Sequence, residues 1–410
     1  MPPTIALVGS FDRRGAIFLY ARRLLQEVGL GVITINIGLE EPEFVPDVGS
    51  EAVAREAGKN LSTVLRHDSH ARAHETLKVG LRTLVIRLYA QGQLQGILSL
   101  GGSADTDGAT AAMQALPLGV PKLMVSTLTS GNVSQYVGIS DVIMMPSVCN
   151  LSSVNRISRT IVRNAVMAMH GMVEQAATAP VQEISSKPIV AISMFGLTKP
   201  CADEARIYLE SRGYEVILFN CTGTGGRTME HYINEGYFVG VLDLTTTEWC
   251  DELVGGDMGA GPSRCDAAIA SRVPQVVSVG ATDMVNFRNI SAVPVKYARR
   301  LLYRYTKAVT LMRTTAVECA KVGDILADKW NNAHNRMRVL LPLRGVSGID
   351  AEGQVFCDPE ARRAMFTAIE DRIYNNKVTV EELDLHINDK AFADHAAQAL
   401  IDLIEAQQHP

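Results

Sequence analysis

Short apolar runs alternate with longer amphipathic stretches along the whole chain. The first apolar run, residues 5–8, is followed by a polar turn that contains glycine and then by a helical pattern over residues 16–28. The next run, residues 31–37, is continuously apolar, which is typical of a strand in a parallel sheet that is covered on both faces. This order predicts a βαβ unit at the start of the chain.

The alternation continues to the C-terminus and restarts once. In the first half it predicts strands at residues 96–100 and 122–126 and helices at about 71–90 and 152–176. Residues 177–188 have the composition of a linker, after which a strand, a turn and a helix follow again. The second half has predicted strands at residues 189–194, 215–219, 239–244, 275–279, 309–312 and 338–341, and a terminal helix at residues 390–407.

This pattern predicts an α/β fold class with two Rossmann-like, doubly wound domains, mainly parallel sheets and an interdomain cleft. We expect an N-terminal domain at residues 1–180, a linker at 181–187 and a C-terminal domain at 188–410. Internal duplication would explain why both halves begin with a βαβ unit. Any two doubly wound domains start alike, however, and we favour this simpler explanation.

Composition narrows the class of protein. Of the 410 residues, 47% are hydrophobic and 20% charged, and the formal net charge is -5, so no basic surface for nucleic acids or membranes is expected. With no signal peptide and no apolar run of the roughly 20 residues that a membrane span needs, we expect a cytoplasmic protein. The seven cysteines form no C-x-x-C pair, which favours reduced, mostly buried thiols over zinc sites or disulfides.

The segment richest in glycine and threonine lies between a predicted strand and a helix predicted to begin near Thr228. Glycines let the backbone approach a ligand, amides at a helix N-terminus attract anions, and arginine pairs with phosphate or carboxylate. We therefore predict an oxyanion-binding loop, with a plain turn as the alternative. Its residues are Thr222, Gly223, Thr224, Gly225, Gly226 and Arg227.

Three further polar loops follow predicted strands of the first half, where open α/β sheets bind their ligands. Asp105 and Asp107, in the second loop, are suited to hold Mg²⁺ through water or, alternatively, to cap the next helix. The arginines of the first loop either contact phosphate or are solvated. The candidate binding residues are Gly9, Ser10, Asp12 and Arg14 in the first loop, Gly101, Gly102 and Ser103 in the second, and Ser130 in the third.

A predicted strand of the second half ends in hydroxyl and carboxyl side chains. Thr247 and Glu248 are suited to contact a ligand, and Glu248 or Asp243 is a candidate catalytic base or metal ligand. Helix capping is the alternative role of the threonines. The glycine-rich residues 255–261 that follow are typical of a lid or of a loop that permits close approach.

Three histidines have helical spacing. His67, His70 and His74 would share a face if they lay on one helix, which suits a metal site, but a solvated helix face is favoured. The chain has neither the H-E-x-x-H nor the G-x-S-x-G signature, so neither a zinc peptidase nor a serine hydrolase is indicated.

Several of these loops, together with other short blocks, resemble the Tm-1-like ATP-binding domain family, also known as an uncharacterised bacterial protein family. The resemblance covers nearly the whole chain. It is carried by GVPK (119–122), MVST (124–127), YVG (136–138), SD (140–141), Leu151 with NRISR (155–159), AISMFGLT (191–198), TGTGGR (222–227), TTTE (245–248), LVGG (253–256), PQVVSVG (274–280) and HIND (386–389).

The resemblance implies two Rossmann-like domains, nucleotide binding with ATP and Mg²⁺, and a homodimer. It also implies a TIM-barrel partner similar to phosphoenolpyruvate-utilising enzymes, which commonly accompanies bacterial members and is fused to the plant member. The family's first loop usually reads Asp-Thr-Lys-Gly, so Arg14 here takes the place of a lysine. Its second loop usually carries more glycines, whereas Asp105 and Asp107 would repel a polyphosphate unless a cation bridges them.

From the sequence we therefore expect a nucleotide-binding protein that holds the phosphates of ATP, with Mg²⁺, at strand-terminal Gly/Thr loops. The alternative is an enzyme that acts on a small phosphorylated or carboxylated metabolite, together with a TIM-barrel partner. A third possibility is an interaction protein in which a nucleotide only fixes the domains.

Overall fold

The computed structural model describes residues 2–178 and 187–408. The chain divides into two compact units, Met1–Gln182 and Glu183–Pro410. Of the predicted linker 181–187, all but Lys187 lies outside the described residues.

The first unit contains a five-stranded, fully parallel sheet of order β2-β1-β3-β4-β5. Its strands are β1 (Thr4–Gly9), β2 (Gly31–Asn36), β3 (Gly96–Gly101), β4 (Lys122–Ser126) and β5 (Ile143–Pro146). Its helices are α1 (Phe11–Glu27), α2 (Ser50–Glu56), α3 (Leu61–His67), α4 (His70–Ala90), α5 (Ser103–Met113), α6 (Ser134–Val137) and α7 (Arg156–Thr178).

Different helices cover the two faces of this sheet. Ile5 and Leu7 of β1 pack in a core cluster with α1 and α7, whereas Ala6 and Val8 pack with α2, α4 and α5. All four side chains are completely buried. A strand buried on both faces favours apolar side chains at successive positions, which explains the continuous apolar run and confirms the predicted parallel sheet.

The second unit contains a six-stranded parallel sheet of order β14-β13-β9-β8-β6-β7. Its strands are β6 (Ile189–Met194), β7 (Glu215–Asn220), β8 (Gly240–Thr245), β9 (Gln275–Gly280), β13 (Met337–Pro342) and β14 (Val378–Leu383). Its helices are α8 (Lys199–Ser211), α9 (Thr224–Asn234), α10 (Glu248–Val254), α11 (Ala267–Ala270), α12 (Ala316–Trp330), α13 (Pro359–Arg372) and α14 (Lys390–Gln408).

A small antiparallel sheet is inserted between β9 and α12 of the second unit. It consists of β10 (Met284–Phe287), β11 (Leu302–Arg304) and β12 (Thr310–Arg313), with β12 in the middle. The strand predicted at residues 309–312 is therefore present, but it belongs to this insertion rather than to the parallel sheet.

The cysteines are all free thiols, as the sequence predicts, and all seven lie within the described ranges. Cys201, Cys221, Cys250, Cys265 and Cys319 are buried in the second unit. Burial raises the pKa of these five thiols. Within residues 2–178 and 187–408, no helix combines the length and the apolar character that a membrane span needs.

The strand order reverses at the equivalent position in each of the two parallel sheets. The first strand of each unit lies between the second and third strands, so successive connections leave it on opposite sides. Open α/β sheets bind ligands in the crevice that such a reversal creates at the carboxyl ends of the strands. In the first unit this crevice lies at the carboxyl ends of β1 and β3, and in the second unit it lies at the carboxyl ends of β6 and β8.

Candidate functional site

Asp105 joins the two loops that meet at the reversal point of the first unit. One oxygen of its carboxylate accepts hydrogen bonds from the backbone N–H and the hydroxyl of Ser10, at 2.8 and 2.6 Å. The other accepts from Nη1 of Arg14 at 2.6 Å and from the N–H of Gly102 at 3.2 Å. Because Asp105 is only 1% exposed, it braces the loops and caps α5, which is the alternative role that the sequence left open.

The two aspartates of the predicted magnesium site have separate partners. The side chain of Asp107 is 54% exposed and pairs with Lys78 at 3.1 Å, whereas Asp105 pairs with Arg14. In the described part of the chain, no group of three or more His, Cys, Asp or Glu side chains is arranged to hold a metal ion.

Near the N-terminus of α5, Asp12 has one carboxylate oxygen that accepts no hydrogen bond from the described residues. Its Oδ2 accepts a hydrogen bond from the N–H of Glu40 at 3.0 Å, but its buried Oδ1 has no hydrogen-bond partner within residues 2–178 and 187–408. Asp12 also lines a cavity of about 90 Å³ together with Ser10, Arg14 and Ser103. An unpaired carboxylate oxygen beside a cavity is suited to a cation or to a water molecule that a cation binds.

The N-terminus of α5 lies in the open beside Arg14. The helix begins at Ser103, and the exposed Ser103 and Ala104 line the cavity, where the first amides of a helix have no intrahelical partner. A Cβ at Gly102 would lie 3.1 Å from Nη2 of Arg14, so glycine leaves room for the guanidinium at this terminus. We call the N-terminus of α5, Arg14, Asp12 and Asp105 the α5 corner.

Two other glycines that were predicted to bind a ligand serve the packing of the protein itself. A Cβ at Gly9 would lie 2.0 Å from the ring of Phe18. A Cβ at Gly101 would lie 2.2 Å from Oδ2 of Asp105. Both positions therefore require glycine for reasons of internal space.

A second cavity adjoins the α5 corner. It has a volume of about 330 Å³ between α4 and α5 and shares His74, Ser103 and Ala104 with the smaller cavity. The sequence did not predict that His74 lines a cavity. His67 ends α3 and His70 begins α4, so the three histidines do not lie on one helix. Burial and, to a smaller extent, the charge of Arg13 lower the pKa of His74.

Ser130 lies at a different cavity of the first unit. This cavity has a volume of about 450 Å³ at the ends of β4 and β5 and is lined by several hydroxyl side chains. Val148, on its rim, has φ of 62°, which is rare for a β-branched residue and strained. Thr127 also lines this cavity. Its hydroxyl lies close to Gly102, since a Cβ at Gly102 would be 3.9 Å from it.

The Gly/Thr loop of the second unit holds a carboxylate of the protein. Oε1 of Glu248 accepts hydrogen bonds from the N–H groups of Gly223 and Gly226, at 2.7 and 3.2 Å. The helix α9 begins at Thr224 rather than near Thr228, so these amides belong to its N-terminus. The loop thus has the anion-binding chemistry that its sequence predicts, but the anion is Glu248, which is 1% exposed.

Close packing of the chain also explains the other glycines around this loop. A Cβ at Gly225 would lie 1.7 Å from the carbonyl oxygen of Asn220, and one at Gly226 would lie 2.0 Å from Oε2 of Glu248. A Cβ at Gly223 would lie 2.8 Å from the carbonyl oxygen of Gly259. Residues 255–261 therefore form a loop that lies against Gly223, one of the two alternatives for this segment.

The remaining predicted residues of this region make local contacts. The exposed Arg227 donates from Nε to the carbonyl of Gly223 at 3.3 Å, and Thr222 is also exposed. Thr247 is the exception, because its buried hydroxyl has no hydrogen-bond partner in the described part of the chain.

Glu248 and Asp243 are held by a buried arginine that sequence analysis missed. Arg264 is 1% exposed and donates from Nη1 and Nη2 to both oxygens of Asp243, at 2.6 and 2.7 Å. Its Nε donates to Glu248 at 2.7 Å, and Nη1 also contacts Glu230 at 3.1 Å. We call these four residues the Arg264 cluster. Burial raises the pKa of Glu248 and Glu230, although Arg264 opposes the shift.

A neighbouring buried carboxyl group, Asp251, is expected to make the stability of the second unit depend on pH. Asp251 accepts hydrogen bonds from the N–H and the side chain of Asn286, at 2.9 and 2.7 Å, and burial raises its pKa to about 7. Between pH 4 and 7 the folded protein therefore keeps a proton that the unfolded chain releases, so the stability from this group is lost as the pH rises to 7. We expect the free energy of unfolding of the wild type, relative to Asp251→Asn, to fall over this range.

Urea titrations at several pH values measure this difference. Asp371→Asn, the same change at an exposed position at the end of α13, is the matched control. A wild-type stability that stays parallel to that of Asp251→Asn from pH 4 to 7 would contradict the prediction.

Two family models together match nearly the whole chain. The N-terminal domain model of the uncharacterised protein family UPF0261 matches residues 3–178, and the C-terminal domain model matches residues 187–404. The chain belongs to the UPF0261 family. Its "UPF0261 protein" relative from Clostridium tetani is 41% identical over 406 residues, which are 99% of this chain and 100% of that protein.

A plant protein confirms the predicted relation to the Tm-1-like family. The "ToMV resistance protein Tm-1(GCR237)" of Solanum lycopersicum is 33% identical over 405 residues, which cover 97% of this chain and 53% of the tomato protein. Among solved structures, a UDP-N-acetylglucosamine 2-epimerase from Rickettsia bellii matches 67% of this chain and 79% of its own, with 10% identity and a TM-score of 0.23. A similarity at this level supports no inference about function.

Proposed function

We propose that this UPF0261 protein binds a nucleotide, ATP with Mg²⁺, through its phosphates at the α5 corner. The observation that carries the proposal is the open N-terminus of α5, with Arg14 beside it at a cavity on the reversal point of the sheet. Helix N-termini with an adjacent arginine bind phosphate through both the amides and the charge. The corresponding Gly/Thr loop of the second unit already holds Glu248.

The charges at the α5 corner favour a phosphate that carries a metal ion. The charged residues that line its two cavities, apart from His74, are three cations and three carboxylates: Arg13, Arg14, Lys78, Asp12, Asp105 and Asp107. A bare polyphosphate would meet as much negative as positive charge, whereas Mg²⁺ bound to it removes the repulsion. The free Oδ1 of Asp12 fits a hydrated Mg²⁺, which commonly uses only one or two carboxylates of a protein.

Equilibrium binding of ATP tests this proposal. We expect Mg·ATP to raise the melting temperature of the full chain, because a ligand at 100 times its Kd stabilises the folded state by about 2.7 kcal/mol. ATP with EDTA should stabilise the protein less than Mg·ATP does. A melting curve that millimolar Mg·ATP leaves unchanged would count against nucleotide binding.

A second candidate function is catalysis on a small phosphorylated or carboxylated metabolite. It is favoured by the hydroxyl-lined cavity of about 450 Å³, which approaches the α5 corner at Thr127 and provides space for a second ligand. Asp243 and Glu248 are poor bases for such a reaction, because both are buried in ion pairs with Arg264. Turnover of a phosphorylated substrate by this chain, alone or with an added TIM-barrel partner, would distinguish an enzyme from a binding protein.

A further inference from the structure

The cavity of about 330 Å³ beside the α5 corner has an apolar floor and a mixed wall. Ile37, Leu77 and Leu81 form the floor, and each is at most 5% exposed. Tyr136 and Gln135 of α6 also line this cavity and form part of its wall. Cavities of this volume with apolar linings and a few polar groups are typical of small-molecule sites.

The segment that carries Tyr136 is fixed by a side chain from outside it. Nε2 of Gln114 donates hydrogen bonds to the carbonyl oxygens of Tyr136 and Gln135, at 2.8 and 3.3 Å. Gly138 ends α6 with φ of 58°, a conformation that favours glycine. Among the described residues, neither the hydroxyl of Tyr136 nor the side-chain amide of Gln135 has a hydrogen-bond partner. The backbone is therefore held in place while two polar side-chain groups stay free for a ligand.

The cavity adjoins the proposed phosphate site. Ser103 and Ala104, at the open N-terminus of α5, line both cavities, and the ion pair of Lys78 and Asp107 lines the larger one. A ligand whose phosphates contact the N-terminus of α5 would extend its other end over this floor. A flat group with apolar faces and polar edges complements such a floor and wall.

We propose that this cavity holds the aromatic base of the nucleotide, with Tyr136 as its stacking partner and Gln135 as the side chain that hydrogen-bonds its edge. The inference rests on the proposed function, since it assigns the remaining part of the same ligand. An aromatic side chain stacks on any base, whereas an amide that both donates and accepts can pair with the edge of a purine. The site is therefore expected to prefer a nucleotide to a bare polyphosphate.

Calorimetric titrations with Mg·ATP and with the magnesium salt of inorganic tripolyphosphate test the base site. The wild type should bind Mg·ATP at least about tenfold more tightly than tripolyphosphate, because only ATP fills the cavity. Tyr136→Ala should weaken Mg·ATP about tenfold and leave tripolyphosphate unchanged. Gln135→Ala, at an exposed position where folding is not at risk, should weaken Mg·ATP several-fold.

Tyr89→Ala is the matched control. Tyr89 also lies on the first unit but lines a different cavity, so both affinities should stay at the wild-type value. Equal affinities for ATP and tripolyphosphate in the wild type, or an equal loss of both in Tyr136→Ala, would overturn the base site and leave phosphate binding standing. If neither compound binds the wild type, the proposed function itself fails, and the base site with it.

Discussion

Arg264→Met is expected to lower the free energy of unfolding of the second unit by about 3–5 kcal/mol. The change removes the guanidinium that pairs with Asp243, Glu248 and Glu230, and it leaves the three carboxyl groups together in the interior without their cation. Unpaired buried charges are far more costly than the loss of the contacts themselves. Because the carboxyls would then take up protons in the folded state, the loss should become smaller as the pH is lowered from 7 to 5.

Tryptophan fluorescence in urea measures this effect selectively. Both tryptophans of the chain, Trp249 and Trp330, are buried in the second unit, so their signal reports the unfolding of that unit. Arg206→Met is the control, since Arg206 forms a half-exposed pair with Glu210 on α8 and should cost no more than about 0.5 kcal/mol. Similar losses in the two variants would show that the Arg264 cluster does not stabilise the fold.

Arg14→Ala is expected to weaken the binding of Mg·ATP about 10- to 100-fold. The substitution removes a charged donor from the phosphate site and leaves Asp105, the partner of Arg14 at 2.6 Å, as an uncompensated negative charge beside the ligand. Arg14→Lys keeps the charge but loses the planar group with several donors, so it should retain part of the affinity. Titration calorimetry at fixed Mg²⁺ and ionic strength measures each Kd.

Another arginine of α1 provides the control for this experiment. The side chain of Arg23 is 66% exposed, pairs with Glu27 at 3.3 Å, and does not line the cavities of the α5 corner. Arg23→Ala should therefore change the Kd by no more than about threefold, because exposed ion pairs contribute little. If the two alanine variants bind Mg·ATP equally well, Arg14 has no special role in phosphate binding.

Strands in the middle of the sheets were predictable, and strands at the edges were less so. β1, β3 and β4 are buried on both faces, and their continuous apolar runs gave bounds within one residue of those observed. β5 and β14, each at one end of its sheet, were missed, whereas β2 and β7 at the opposite ends were predicted. β14 carries the exposed Thr379 and Glu382 and the half-buried Glu381, so its pattern lacks the apolar run on which the prediction relied.

The candidate site was predictable in its loops but not in its partners. The loops after β1 and β3 were found because strand-terminal glycines and hydroxyls mark the carboxyl edge of a parallel sheet. In contrast, the anion at the Gly/Thr loop is Glu248, which is 22 residues beyond Gly226 in the sequence. Arg264 follows a further 16 residues on, so only the packing of α10 and the loop after it brings the three together. The spacing of these residues in the sequence does not indicate that they are in contact.

The buried thiols of the second unit allow its opening to be followed by chemical modification. Five of its thiols are enclosed by the core, and two of them, Cys221 and Cys265, contact Arg264. Alkylation requires an accessible thiolate, so iodoacetamide would react with these sites only as fast as the unit opens. The rate at which these thiols are alkylated would therefore report how often the unit opens under conditions in which nearly every molecule is folded.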